Sequence, residues 1–341
     1  MSTEHGTAKA KRVTAQHVAM LAGVSISAVS RTYTPGASVS PATRKKILAA
    51  AETLGYQPNV MARSLMTGRT ELIGLVSNNF DNPAFMEIFD LFTRKLQEHG
   101  LRPLLVNLSG LPGPEEAVSM LRQYSVDAVI VASSTVSADF IAGCKAAGIP
   151  VIHAFGKAAR QSSVQVVGAD NRQGGRLAAE VLLSRGYRHI AFLGGPQQAT
   201  STIERLKGFE SGLQVGGTAA VTKVFAASYS HEGGRQMMAT LLQGNKIDAV
   251  FCGDDILAIG ALDACKEHGR RVPEDIGILG FNDIAMASWP AYNLSTIRQP
   301  IAEIIVASVD RAIKVVSGEE GDTSGRPFPC EVVLRGTLRA R

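Results

Sequence analysis

The chain has 341 residues, 45% of them hydrophobic and 19% charged, with a formal net charge of +5. That length exceeds what a single core fills, so more than one domain is expected, and the apolar content excludes a largely disordered chain. No stretch approaches the roughly 20 apolar residues a membrane helix needs, and no apolar run follows the basic N-terminus, so neither anchor nor secretory leader is expected.

The charge is unevenly spread. Residues 1–70 hold nine Lys or Arg against two acids, whereas the remaining 271 carry 26 basic and 28 acidic side chains. A small basic head on a near-neutral body points to a polyanion-binding module joined to something else. Cys144, Cys252, Cys265 and Cys330 are widely spaced and form no CxxC pair, and the seven histidines show no ligand spacing. No structural metal and no cofactor are expected, and scattered thiols suit a reducing cytosol.

In chain order, Thr14 caps a helix to Ala22 that turns Val18, Leu21 and Ala22 inward. Gly23 supplies a turn that tolerates positive φ. Ser25 caps a second helix to Thr32, with Ala28 and Val29 inward. Ser40-Pro41 opens a third, to about Leu54, with Ile47, Leu48, Ala51 and Leu54 at core spacing and Gly55 ending it. Two short helices about a glycine turn, braced by a third, form a helix-turn-helix. Its second helix shows Ile26, Ser27 and Arg31 to solvent. Arg31 suits a guanine edge or a phosphate, Ile26 a thymine methyl, and Ser27 almost any base. Thr14, Ser25 and Ser30 complete the expected DNA face.

From residue 72 apolar strand-like runs alternate with helical stretches. The runs are 72–76, 103–107, 128–132, 151–154, 164–167, 190–193, 222–226, 249–252 and 276–281; helices are expected near 84–99, 115–123, 137–147, 173–185, 203–213, 232–243, 256–268 and 301–317. Fully apolar strands alternating with helices predict parallel sheets covered on both faces, and the strand number predicts two lobes. Ligands of such folds sit beyond the carboxyl ends of the strands. Asp81, Asp170, Asp254 and Asn282 are placed there by the pattern.

Three stretches of the head resemble the lactose-repressor (LacI/GalR) family. They are Val18-Ala-Met-Leu-Ala-Gly-Val-Ser-Ile-Ser-Ala-Val-Ser-Arg31, Val39-Ser-Pro-Ala-Thr-Arg44 and Leu54-Gly-Tyr-Gln-Pro-Asn-Val-Met-Ala-Arg-Ser-Leu65. The resemblance implies a hinge helix in the operator's minor groove. Asn59 would open it, Leu65 would wedge between bases, and Ala62 and Arg63 would lie alongside. Residues 59–67 span only two turns, below the about 12–15 residues that sustain an isolated helix, so folding only on DNA is physically reasonable.

The body resembles the same family and the periplasmic sugar-binding proteins, through Asn82-Pro83, Asp170-Asn-Arg-Gln-Gly-Gly-Arg176, Glu204-Arg-Leu-Lys-Gly-Phe209 and Val272-Pro-Glu-Asp-Ile276. By that resemblance Arg205, Asp254 and Asn282 bind an effector, with Asp170 and the Phe80-Asp81 corner completing the wall. Where the family commonly reads Asn-Asp and later Asp-Asp, this chain reads Asp254-Asp255 and Asn282-Asp283, so an acid and an amide have exchanged positions. Phe80, Phe155, Tyr229, Phe281 and Trp289 are candidate stacking partners, and Asp255 and Asp283 are as well suited to bracing loops.

The resulting fold class is an all-α helix-turn-helix head plus hinge helix, joined to a two-lobed α/β periplasmic-binding-protein-like body with parallel sheets. The divisions are 12–57, 58–70 and 71–341. The chain reads as a transcriptional repressor that binds near-palindromic double-stranded operator DNA as a homodimer, away from any membrane, in the cytoplasm at the nucleoid. Its effector would be a carbohydrate or sugar acid. The alternative is a solute-binding or enzymatic α/β protein with an incidental basic head. No P-loop, GxSxG, GxGxxG or HExxH supports an enzyme.

Overall fold

A computed structural model describes residues 13–34, 36–57, 64, 68–156, 164–217, 221–244, 246–319 and 326–340. The chain divides into two compact units, Met1–Thr70 and Glu71–Arg341.

In the first unit, α1 (Ala15–Ala22) ends at Gly23, whose φ of 64° is the left-handed turn a glycine allows. The Ser25 hydroxyl accepts from Ala28 N to start α2 (Ile26–Thr32), and Ser40 accepts from Thr43 N to start α3 (Pro41–Leu54). Val18, Ala19, Ala28, Val29, Ile47, Ala50 and Ala51 form the core. Two expected core positions differ. Leu21 is 54% exposed and Leu48 46% exposed. On α1 the buried pair is Val18 and Ala19, and on α3 the apolar stripe runs Ile47, Ala50, Ala51, Leu54, which leaves Leu48 about 100° off the face.

The second unit contains two sheets. The first takes β1 (Leu72–Ser77), β2 (Arg102–Asn107), β3 (Ala128–Ala132), β4 (Val151–Ala154) and β5 (Gln165–Val167), in the order β2-β1-β3-β4-β5, all parallel. The second takes β6 (Ile190–Gly194), β7 (Thr222–Phe225), β8 (Ala249–Cys252), β9 (Gly277–Asn282), β10 (Ser295–Arg298) and β11 (Glu331–Val333), in the order β11-β10-β9-β8-β6-β7. The sequence reading lacked β10 and β11. Both are short, β10 is largely polar, and β11 runs antiparallel to β10, so the second sheet is not purely parallel.

The intervening helices are α4 (Ala84–Glu98), α5 (Pro114–Gln123), α6 (Ala138–Ala146), α7 (Asn171–Ser184), α8 (Thr200–Val215), α9 (His231–Gly244), α10 (Asp255–Glu267) and α11 (Ile301–Ser317). Helix α11 follows β10 yet packs on β3, β4, β5 and α4 of the first lobe. The central strands of each sheet are buried on both faces, as parallel strands require, while the edge strands β2, β7 and β11 are partly exposed. Ile73, Leu75, Ile130 and Ile152 meet α4 and α11 through Phe92, Leu96, Ile304 and Val309, while Val76, Val129 and Val131 meet α5 and α6 through Leu121 and Phe140. Burying each such side chain contributes about 1.5–3 kcal/mol.

In both sheets the strand order reverses at the first strand of the lobe, between β1 and β3 and between β6 and β8. Loops leaving such neighbours diverge to opposite faces and open a crevice at their carboxyl ends. The segments after β1 and β3 therefore face one end of the first sheet, and those after β6 and β8 one end of the second. No helix among the described residues is long and apolar enough to cross a membrane.

Candidate functional site

In the first unit, Ile26, Ser30, Ser27 and Arg31 span about 140° of α2 at 3.6 residues per turn, and Ala28, Val29 and Thr32 occupy the opposite, buried side. Ile26 is 51% exposed, so this face presents one apolar side chain among polar ones. Arg31 is exposed, its Nε donating to Ser27 O at 3.3 Å. Ser25 caps α2, and Thr14 precedes α1, its backbone N–H meeting His17 Nδ1 at 3.2 Å. These six share one small helical unit. Asn59, Ala62, Arg63 and Leu65 lie outside the described residues.

In the second unit, a cleft lies where the two lobes meet, and Arg205, Asp254 and Asn282 all line it. Arg205 is set by close helix packing. A Cβ at Gly208 would strike the Arg172 carbonyl, and one at Gly175 the Arg205 carbonyl, so glycines let α7 and α8 approach backbone to backbone. Arg172 Nε also meets Glu204 Oε2 at 2.6 Å across this pair. The Arg205 guanidinium lies 3.7 Å above the centre of the Phe281 ring, which ends a buried row with Phe192, Phe209 and Phe251. Its Nε donates to Asn171 Oδ1 at 2.8 Å and a terminal nitrogen donates to Gly253 O. Burial pushes its pKa down, against the nearby Tyr229 and Asp254.

Asp254 caps α10 by accepting from Ile256 N at 2.9 Å. Its Oδ2 accepts from Asn282 Nδ2 at 2.8 Å and from Asn82 Nδ2 at 3.3 Å. Burial pushes its carboxyl above the ordinary range, opposed by the Ile256 N–H, the Arg205 charge and both amides. Asn282 ends β9 in the left-handed region, with φ 122°, and Asp283 follows at φ 61°. Such backbone persists only where neighbours over-determine it. Here Asn282 is held by Asp254 and Gln299, and Asp283 by Arg298 and Arg335, each at 2.7 Å. Asp255 accepts from Thr296 Oγ1 at 2.6 Å and from Ile284 N at 2.9 Å, and burial raises its pKa to about 7. Asp255 and Asp283 are thus braces of the corner.

Of the other sequence candidates, Phe155 and Tyr229 also line the cleft, and the rest fall elsewhere. Phe80 stacks on Phe89 with centroids 5.0 Å apart, inside the first lobe, because the apolar face of α4 offers it a better surface than the cleft. Asp81 is exposed. Asp170 caps α7, accepting from Gln173 N at 2.9 Å. None of the three lines the cleft. Trp289 is half exposed and stacks on Tyr292. Asn82, Ser134, Ser201 and Gln299 also line the cleft, and no sequence pattern marks them as site residues. Tyr229 does line it, its hydroxyl 2.7 Å from both Ser201 Oγ and Thr202 Oγ1. No cluster of three or more metal-ligating side chains occurs among the described residues.

Comparison with known proteins fits both units. Residues 14–59 match the bacterial regulatory proteins, lacI family, and residues 179–338 match a periplasmic binding protein-like domain. The HTH-type transcriptional regulator AscG of Escherichia coli (strain K12) is 32% identical over 331 residues, 95% of this chain and 97% of that protein. Among solved structures, the Lac repressor dimer bound to operator and the anti-inducer ONPF superposes with a TM-score of 0.84 at 28% identity, covering 97% of this chain and all of that one. A complex of the transcriptional regulator CelR with cellobiose gives 0.70 at 27% identity, covering 96% and all of that chain. A helix-turn-helix unit and a two-lobed α/β unit, matched along nearly their whole length, leave one assignment: the chain belongs to the LacI family of bacterial regulatory proteins and is a DNA-binding transcriptional regulator, not an enzyme.

Proposed function

We propose that this regulator is a repressor whose operator affinity is set by a small polar effector, a carbohydrate or sugar acid, bound by Arg205, Asp254 and Asn282. The observation that carries this reading is the convergence of these three buried side chains, one cation, one carboxylate and one amide, on a single cleft. A fork of donors, a pure acceptor and a group that does both suit the hydroxyls of a polyol, and the guanidinium also suits a carboxylate.

On the DNA side, Thr14, Ser25, Ile26, Ser27, Ser30 and Arg31 contact the operator from α2 and the α1 start, in the major groove. Residues 58–70 form the hinge between a head of 12–57 and a body of 71–341, with Asn59, Ala62, Arg63 and Leu65 at the minor groove. Two copies on a near-palindrome follow from symmetry, as in the solved Lac repressor dimer on its operator. The site of action is the cytoplasm, at the nucleoid.

The test has two arms. Mobility shift with fragments upstream of the encoding gene and its neighbours measures sequence-specific binding. Thermal shift against neutral sugars, sugar acids, polyols and purines measures the cleft, because a ligand of the native state raises apparent stability. Failure of every fragment would sink the operator reading. Failure of all carbohydrates and sugar acids, with a purine hit, would replace the effector class.

A further inference from the structure

The two lobes are joined by more than their chain crossings. Among the described residues, side chains of the first lobe form hydrogen bonds to the second at three points. Asn82 Nδ2 donates to Asp254, 3.3 Å from Oδ2 and 3.5 Å from Oδ1. Ser134 Oγ lies 2.8 Å from Ser201 Oγ, and Glu87 Oε1 accepts from Ala285 N at 3.1 Å. Ala84, two residues after Asn82, packs into the core of the second lobe.

Asn82 is the best placed of the three. It is fully buried, and its Oδ1 accepts from Ala84 N at 3.0 Å at the start of α4. That bond fixes the amide's orientation and leaves Nδ2 aimed across the cleft. On the other side, Ile256 N and Asn282 Nδ2 already occupy one direction of each Asp254 oxygen. A carboxylate has about four acceptor positions, and Asn82 takes those left toward the first lobe.

We propose that Asn82 is a closure latch, holding the first lobe on the second through Asp254, the carboxylate assigned above to the effector. This rests on the effector-cleft reading only for its consequence, that an effector hydroxyl must displace or join Asn82. The latch itself is testable without effector, so the two ideas fail separately.

The test substitutes Asn82→Asp. The new carboxylate still accepts from Ala84 N but faces Asp254 with a like charge, so the lobes part. Two readouts on the full chain report it: small-angle scattering, and acrylamide quenching of Trp289, the chain's one tryptophan, which ends the 3₁₀ turn begun by Ala285. Asn82→Asp is expected to raise the radius of gyration and the quenching constant. Adding Asp254→Asn, which restores a donor opposite the new acid, returns both toward the parent. If Asn82→Asp melts without a cooperative transition, Asn82→Ser replaces it, since serine can cap Ala84 N but cannot reach Asp254. Unchanged scattering and quenching in the folded variant, or a double variant as open as the single one, overturns the latch.

Discussion

Asn282 Nδ2 donates to Asp254 Oδ2 across 2.8 Å, both residues buried in the cleft. These are the two positions at which an acid and an amide have changed places relative to the family's common pattern. They share one hydrogen bond, so an acid-for-amide exchange at both positions would keep the pair and reverse its polarity. Asn282→Asp alone opposes two carboxylates there and is expected to destabilise the protein by about 1–3 kcal/mol. The double exchange Asp254→Asn with Asn282→Asp recovers most of that loss. Urea unfolding of the four proteins checks it, and simple additivity refutes the pairing.

Asp255 makes stability depend on pH in a direction opposite to most carboxylates. Its ordinary pKa of 3.8 rises to about 7 in the fold because burial penalises the charge and Asp254 and Asp283 lie nearby. The folded state therefore binds the proton more tightly than the unfolded chain does. The stabilisation is full below about pH 4, is lost as pH rises toward 7, and changes no further above it. Asp255→Asn lacks this loss. Unfolding free energies at pH 4–8 should show the parent losing stability relative to the variant across that window, and parallel profiles would exclude the assignment.

Arg205 should separate the two functions. Arg205→Ala leaves operator binding without effector intact but abolishes the response to any compound found by thermal shift, a coupling of about 5–150-fold in such systems. Arg205→Lys should restore little, since an ammonium can neither stack on Phe281 as a plane nor fork. Anisotropy of labelled operator, with and without the compound, reads both.

On the head, Arg31→Ala is expected to weaken operator binding by about 1–3 kcal/mol if it reads a base, with specificity relaxed at one position. A phosphate contact instead lowers the salt slope by about one and weakens all sequences alike. Leu65→Ala should weaken operator binding while leaving cleft ligands unaffected. Retained operator affinity in that variant would remove the wedge assignment.

Gly208→Ala probes how the site is built. The added methyl meets the Arg172 carbonyl, so α7 and α8 must separate, at about 1–3 kcal/mol. Because Arg205 lies on the same helix face, cleft ligands should bind more weakly as well. A variant with parental melting and ligand binding would show that the close packing is dispensable.

Much of this was readable from sequence where a pattern is local. The helices were legible through caps and periodicity; the place of Asp254 just past a strand was legible too, whereas Arg205, inside a helix, was marked only by the stretch that resembles the family. Leu21 and Leu48 were misplaced because a short amphipathic helix leaves its phase uncertain by one residue until its partners are known. β10 and β11 carry too few apolar residues to register, and their pairing is a tertiary fact. Asn82 was beyond reach for another reason. It lies 172 residues from Asp254 in sequence, and no spacing rule connects two loops that meet only where the two lobes come together.

The left-handed corner at Asn282 and Asp283 limits how this pocket can diversify. Only glycine, and less readily asparagine or aspartate, occupies such backbone without strain. The wall that Asn282 supplies is therefore nearly fixed in size and can vary mainly in which atom donates. Descendants of this protein that acquire larger or more apolar effectors must reshape the first-lobe loops instead, where the backbone at Ser133 and Ser134 imposes no such restriction.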